Sequence, residues 1–258
     1  MALGFIVSPA KKMNVVEGPP YVEGMPQHLA RTEELLRVLR ALSYDEAKEL
    51  WRCSDRLAEE NYARLQDMCL EDARTAAVIA YEGIQYQHLA TQVMSEGELG
   101  YLGKHLRILS GFYGVLRPFD AVVPYRLEMQ TRLPMPACEG HPATRNLYEW
   151  WGDTLARTLA EEFDTVVNIA SVEYAKAVTT SLPALGTRIV TCLFGTLRAS
   201  DGKLLQRSTE AKAARGTFMR WCAEHSVAEP QDLRSFNERH YRLHEPLSTE
   251  DNLVFVRE

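Results

Sequence analysis

Four groups of residues in this 258-residue chain have types and spacing that could do chemistry. Ser8-Pro9-Ala10-Lys11 follows a short apolar run, and a loop leaving the carboxyl end of a buried strand is where open α/β sheets hold ligands. Lys11 there would supply a point charge for phosphate, or an amine whose pKa burial lowers; an exposed lysine with no role is the plainer reading. Leu109–Leu116 carries two glycines, Gly111 and Gly114, three apart between apolar anchors. That is the outline of a helix-hairpin-helix turn, whose consecutive backbone N–H groups hold a DNA phosphate without reading sequence. Lys104, Arg107 and Arg117 flank it with positive charge, and a glycine-rich packing turn fits the same pattern.

The third group is Asn168-Ile169-Ala170-Ser171 with Glu173, Tyr174 and Lys176. It starts where an apolar run ends, and Ser171 is placed to cap the next helix. Glu173 and Lys176 share a helix face, which serves a cleft or a plain surface ion pair equally well. The fourth is Ala211–Gly216 with Arg220 five residues after Arg215. Lys212 and Arg215 point the same way on a helix whose aromatic face carries Phe218 and Trp221, and such a stripe suits phosphate or simply a solvated surface.

Familiar sites are missing from the sequence: there is no dinucleotide or nucleoside-triphosphate glycine loop, no HExxH, no nucleophile elbow and no CxxC. The seven histidines lack a compact ligand spacing, so neither a metal site nor a cofactor is expected, and no single catalytic residue stands out. Five widely spaced cysteines and the lack of a signal peptide or an 18-residue apolar stretch fit a cytoplasmic protein with no membrane attachment.

The net charge is −6, which by itself disfavours nucleic acid, but the charge is unevenly spread. Twelve acidic residues against five basic ones lie between Asp45 and Glu98, whereas six basic against two acidic lie between Arg198 and Arg220. One acidic flank and one basic face would follow, as would two ordinary helix surfaces that differ in sign.

The elements that must position these groups can be read from periodicity. Strands are predicted at Leu3–Val7, Tyr125–Met129, Thr165–Ala170, Arg188–Phe194, Leu204–Gln206 and Leu253–Val256, with a further apolar run at Ala76–Tyr81. Helices are predicted through most of residues 26–70 and at Leu147–Phe163, Val172–Val178 and Glu210–His225, with capping boxes at Ser43/Glu46 and Ser95/Glu98. The Pro-rich stretch 133–142 reads as a loop too short to divide domains. The fold class expected is α+β: one domain over residues 1–258, a central mixed sheet surrounded by helices, without the regular βα rhythm of a doubly wound enzyme.

Seven segments in order resemble the YaaA-like family of bacterial peroxide-stress proteins. They are SPAK (8–11), SDRLAEENYAR (54–64), HLRILSGFYGVLRPFD (105–120), PYRLEM (124–129), LYEWWGD (147–153), NIASVEYAKAV (168–178) and AKAARG (211–216). The chain departs from the pattern at Lys12, at Val172 and in the middle of AKAARG. The resemblance implies a compact cantaloupe-type fold, a part in limiting free intracellular iron and oxidative DNA damage, and sequence-nonspecific binding of double-stranded or junction DNA through a basic cleft. It suggests Lys11, Lys104, Arg107, Gly111, Gly114, Arg117, Arg126, Lys176, Lys212, Arg215 and Arg220 as phosphate contacts; no stable protein partner is inferable. The competing reading is an enzyme acting on a nucleotide or modified nucleobase, with Ser8, Asn168, Ser171, Glu173 and Tyr174 in a polar cleft.

Overall fold

A computed structural model describes residues 2–138 and 140–258. The chain opens with β1 (Leu3–Val7), five consecutive buried residues, and β2 (Lys12–Met13). A helical layer follows: α1 (Leu29–Arg40), α2 (Tyr44–Trp51) and α3 (Asp55–Asp67). The Ser43/Glu46 capping box is present at the start of α2. The apolar run at 76–81 is not one strand. It splits into β3 (Thr75–Ala76), one helical turn α4 (Ala77–Ala80) and β4 (Tyr81–Glu82).

Next come α5 (Ile84–Leu89), α6 (Glu96–His105) with its predicted Ser95/Glu98 box, β5 (Leu106–Ser110), β6 (Gly114–Leu116) and β7 (Ala121–Val122). Tyr125–Met129, expected as a strand, belongs to none. The single helix expected at 147–163 is two, α7 (Leu147–Trp151) and α8 (Thr154–Glu162), because the chain bends at Gly152, where φ is +52°. The rest is β8 (Thr165–Asn168), α9 (Val172–Thr179), β9 (Arg188–Leu197), β10 (Leu204–Leu205), α10 (Ser208–Glu224), β11 (Tyr241–Leu243) and β12 (Asn252–Arg257).

The central sheet runs β11-β12-β9-β8-β1-β5-β6, with β10 paired to β9. It is mixed, as expected, yet its five middle strands β12, β9, β8, β1 and β5 are all parallel. In chain order those strands are arranged 2-1-3-4-5, the order of flavodoxin-like doubly wound sheets. The connection from Val7 to Leu106 hides this rhythm in the sequence, because several helices intervene before the second parallel strand arrives. The consequence lies between β1 and β8: β5 joins one side of β1 and β8 the other, so the connections leaving their carboxyl ends diverge, which is where sheets of this order hold ligands.

Side chains alternate across β1 and show which helices cover which face. Phe5 faces Tyr101 of α6, with ring centroids 6.4 Å apart. Gly4 faces the other way, onto the Phe163 ring that follows α8, where a Cβ would lie 2.4 Å from a ring carbon. Helices α6 and α8 therefore cover opposite faces, and α10 packs on α6, on α5 and on β9. One continuous hydrophobic core runs through both layers, with Trp150 and Trp151 almost fully buried and an aromatic group of Phe194, Phe218, Phe236 and Phe255 under α10.

The α5–α10 contact tolerates no side chain at Gly216, since a Cβ there would sit 2.0 Å from the Gln85 carbonyl oxygen. Gly216→Ala is expected to destabilise the fold by about 1–3 kcal/mol through overpacking, and urea titration of the two proteins measures it.

Candidate functional site

The carboxyl ends of β1 and β8 are locked together by two serines. The Ser171 backbone N–H donates to Ser8 Oγ at 2.8 Å, and Ser8 Oγ donates to Ser171 Oγ at 3.1 Å. Ser171 occupies the N-cap position of α9, but its hydroxyl makes no capping bond, because it is committed to Ser8. The Ser8 carbonyl accepts from Gln85 Nε2 (3.2 Å) and the Tyr86 hydroxyl (3.0 Å), which ties α5 over the same strand end. Asn168 Oδ1 accepts the Ala170 N–H at 3.0 Å and holds the turn; its Nδ2 reaches Thr191 Oγ1 at 3.4 Å.

Charged groups stand on this floor. Lys11 Nζ pairs with Glu128 at 2.8 Å. Glu173 Oε1 accepts the Gln130 N–H at 3.2 Å, and the Tyr148 hydroxyl donates to the Glu173 carbonyl. Burial pushes the Glu173 carboxyl above the usual carboxylate range; nearby Glu128 adds to that, while the Gln130 N–H and Lys11 oppose it. Glu173 and Lys176 do not pair with each other, for Lys176 Nζ lies 5.1 Å from the Tyr148 ring centroid instead. Tyr174 is buried.

Behind these strand ends is a network the sequence did not suggest. The Tyr125 hydroxyl lies 2.6 Å from Ser110 Oγ at the end of β5 and 2.9 Å from the Tyr81 hydroxyl. Burial raises the pKa of Tyr81, Tyr86, Tyr113, Tyr125 and Tyr174, Tyr125 to about 12. Only the PYRLEM segment hinted at it, and a tyrosine in a pattern does not reveal a buried partner.

Helix α10 brings its basic residues toward the same edge through its contact with α5. Lys212 is exposed. Arg215 is mostly enclosed, its Nε has no hydrogen-bond partner, and it forms no ion pair among the described residues. Burial pushes its pKa down with no carboxylate to oppose it.

The remaining candidates do not join this group. Arg107 is the second residue of β5 and Ser110 its last, a separation of about 10 Å along the strand, so Arg107 is at the opposite, amino edge of the sheet. It is 6% exposed and donates to Glu162 Oε2 (2.6 Å) and to the Gly103 and Leu106 carbonyls (3.1 and 2.6 Å). A guanidinium so used is a structural strut, not a phosphate contact. Arg117 reaches the same carboxylate at 3.8 Å, and Lys104 lies in the last turn of α6. Arg220 pairs with Glu224 at 2.7 Å. Arg126 is turned inward beside Asn61 and Arg64.

The helix-hairpin-helix turn expected at Leu109–Leu116 is a β-hairpin: β5 and β6 pair antiparallel across it. Its amides are spent internally, with the Phe112 and Tyr113 N–H groups both donating to Ser110 Oγ. Gly111 is there because a Cβ would lie 2.9 Å from the Leu127 carbonyl oxygen, and Gly114 because its φ is +78°. A packed helix pair joined by a short turn occurs elsewhere, at α2–α3, across Arg52, Cys53 and Ser54, with Arg52 at φ +46°. The search for paired glycines could not find it.

The family model of the peroxide stress protein YaaA matches residues 3–247. The chain belongs to that family. A UPF0246 protein of Pediococcus pentosaceus is 43% identical over 252 residues, spanning 98% of this chain and 97% of its own length. One from Desulfitobacterium hafniense is 42% identical over 252 residues with the same coverage. One from Limosilactobacillus reuteri is 44% identical over 253 residues, spanning 97% of each. Within this YaaA-family chain, the SPAK, PYRLEM, NIAS and AKAARG segments all reach the carboxyl edge or its supports, whereas the first half of HLRILSGFYGVLRPFD builds the amino-edge strut. No helix among the described residues is long and apolar enough to cross a membrane.

Tyr125 holds its proton to about 12 when folded, against about 10 for a free tyrosine, so its share of stability is complete below about pH 10 and is lost as pH rises from about 10 to about 12. Urea midpoints measured across that window should fall, and Tyr125→Phe should flatten the fall. An equal slope in the variant would assign the loss to the other tyrosines.

Proposed function

We propose that this chain acts in the peroxide-stress response by holding duplex or junction DNA through its phosphates, without reading sequence, and so helps limit oxidative DNA damage and the free iron that drives it. The contacts are Lys11, Lys176, Lys212 and Arg215 at the carboxyl edge of the sheet. Arg107, the β5–β6 hairpin, Arg117 and Arg220 are not among them.

The observation that carries the reading is Arg215. A guanidinium taken largely out of water costs free energy unless an anion answers it, and no carboxylate does so here. The occupant that fits is an external anion, and exposed Lys212 one helical turn away adds to its attraction. Lys11 is held by Glu128 in the free protein, a surface pair weak enough for a phosphate to replace it.

Four such contacts give a log affinity that falls by about 3.6 per log unit of salt, at about 0.9 per phosphate. Fluorescence anisotropy with labelled duplexes of unrelated sequence measures that slope. Arg215→Glu should weaken all of them alike, by about tenfold or more, a change of about 1.4 kcal/mol. A slope near zero, or no binding at low salt, would overturn the reading.

A second reading, an enzyme acting on a nucleotide or modified nucleobase, is favoured by the raised carboxyl of Glu173 beside the Ser8–Ser171 lock. A carboxyl whose pKa burial raises is shifted in the direction a general acid requires. Thermal-shift titration with nucleoside phosphates would favour it if saturable stabilisation were lost in Glu173→Gln while duplex affinity stayed unchanged.

A further inference from the structure

Away from the carboxyl ends of β1 and β8, an enclosed cavity lies between α1, the α2–α3 pair and the Tyr125–Leu127 segment. Its polar walls are Trp51, Asn61, Arg64 and Arg126, and no carboxylate lines it. Two buried donors in it have no acceptor: Trp51 Nε1, on a side chain whose residue is 7% exposed, and Arg126 Nε. Neither group can do anything but donate.

The other polar atoms are already engaged. Asn61 Nδ2 donates to the Leu57 carbonyl, which turns its Oδ1 toward Arg64 at 3.5 Å. The second arm of Arg64 holds Glu60 at 3.0 Å, and the Tyr125 hydroxyl sits between Ser110 and Tyr81. Arg126 makes no ion pair among the described residues. The cavity thus presents two unanswered N–H groups and two guanidinium charges against one carboxylate, Glu60, held outside it. Buried donors are nearly always satisfied in folded proteins, so two orphans facing one space mark a missing acceptor.

Size narrows what that acceptor is. The free volume is about 10 Å³, room for one oxygen-sized group. Arg64 and Met68 also border an open groove of about 390 Å³, lined further by Asn14, Asp67, Cys69 and Asp72. A water in the cavity would meet the two N–H groups, whereas an anionic oxygen would in addition be drawn by Arg64 and Arg126, which no carboxylate lining the cavity offsets.

We propose that this cavity is an oxyanion pocket. One oxygen of a phosphate or carboxylate group on a small molecule accepts from Trp51 Nε1 and Arg126 Nε, Arg64 adds its charge at the mouth, and the remainder of the molecule lies in the groove. This does not rest on the DNA reading, because the Arg126 Nε is buried and duplex backbone does not enter a space of one oxygen.

The test uses the full chain with inorganic phosphate and, separately, acetate, each compared with chloride at equal ionic strength. Melting temperature should rise saturably with at least one of them, and for phosphate the phosphorus NMR line should broaden in parallel; the stronger of the two names the group. Trp51→Phe keeps the ring and removes only the N–H, and should weaken half-saturation by about tenfold, a change of about 1.4 kcal/mol. Arg126→Lys keeps the charge and removes the Nε donor, and should do likewise, which serves if the tryptophan variant fails to fold. No saturable effect beyond chloride, or unchanged half-saturation in a folded variant of either kind, would overturn the proposal.

Discussion

Strand β1 is the constraint on which the rest depends. All five of its residues are buried, and both its edges are hydrogen-bonded to parallel neighbours, β5 on one side and β8 on the other. A strand in that position has no free backbone group to offer solvent, so its two partners must arrive in register from distant parts of the chain. Gly4 and Phe5 then decide the layers: the missing Cβ admits Phe163 on one face, and the phenyl ring of Phe5 meets Tyr101 on the other. The meeting of the two strand ends at Ser8 and Ser171 follows from this arrangement, because β1 and β8 are parallel neighbours.

The two ends of the sheet handle charge in opposite ways. At the amino edge, Arg107 is enclosed but answered by Glu162 and by two carbonyls, which makes it part of the framework. At the carboxyl edge, Arg215 is largely enclosed, its Nε has no hydrogen-bond partner, and it forms no ion pair among the described residues. Desolvation is similar in kind for both, and what separates them is the carboxylate that answers one and not the other. The net charge of −6 therefore says little about what the protein holds. Local pairing says more.

The YaaA-family segments gain a physical meaning from this arrangement. SPAK and NIAS are the two strand ends that lock through Ser8 and Ser171. PYRLEM supplies Tyr125 to the buried hydroxyl network, Arg126 to the enclosed cavity and Glu128 to Lys11. SDRLAEENYAR provides the wall with Asn61 and Arg64.

Much of this was legible in the residues themselves. Apolar runs and capping boxes located β1, β8, β9, α2, α6, α9 and α10, because burial periodicity and helix capping are local physics. The chain order of its segments identified the family. Tertiary structure alone decided the rest. The glycine-rich turn became a β-hairpin because β5 had to pair with β1, a partner nearly the whole helical layer away, and Arg107 became a strut because Glu162 lies across the sheet edge from it. Whether a cation is free or already paired depends on which carboxylate long-range packing delivers to it, and no spacing within the chain records that.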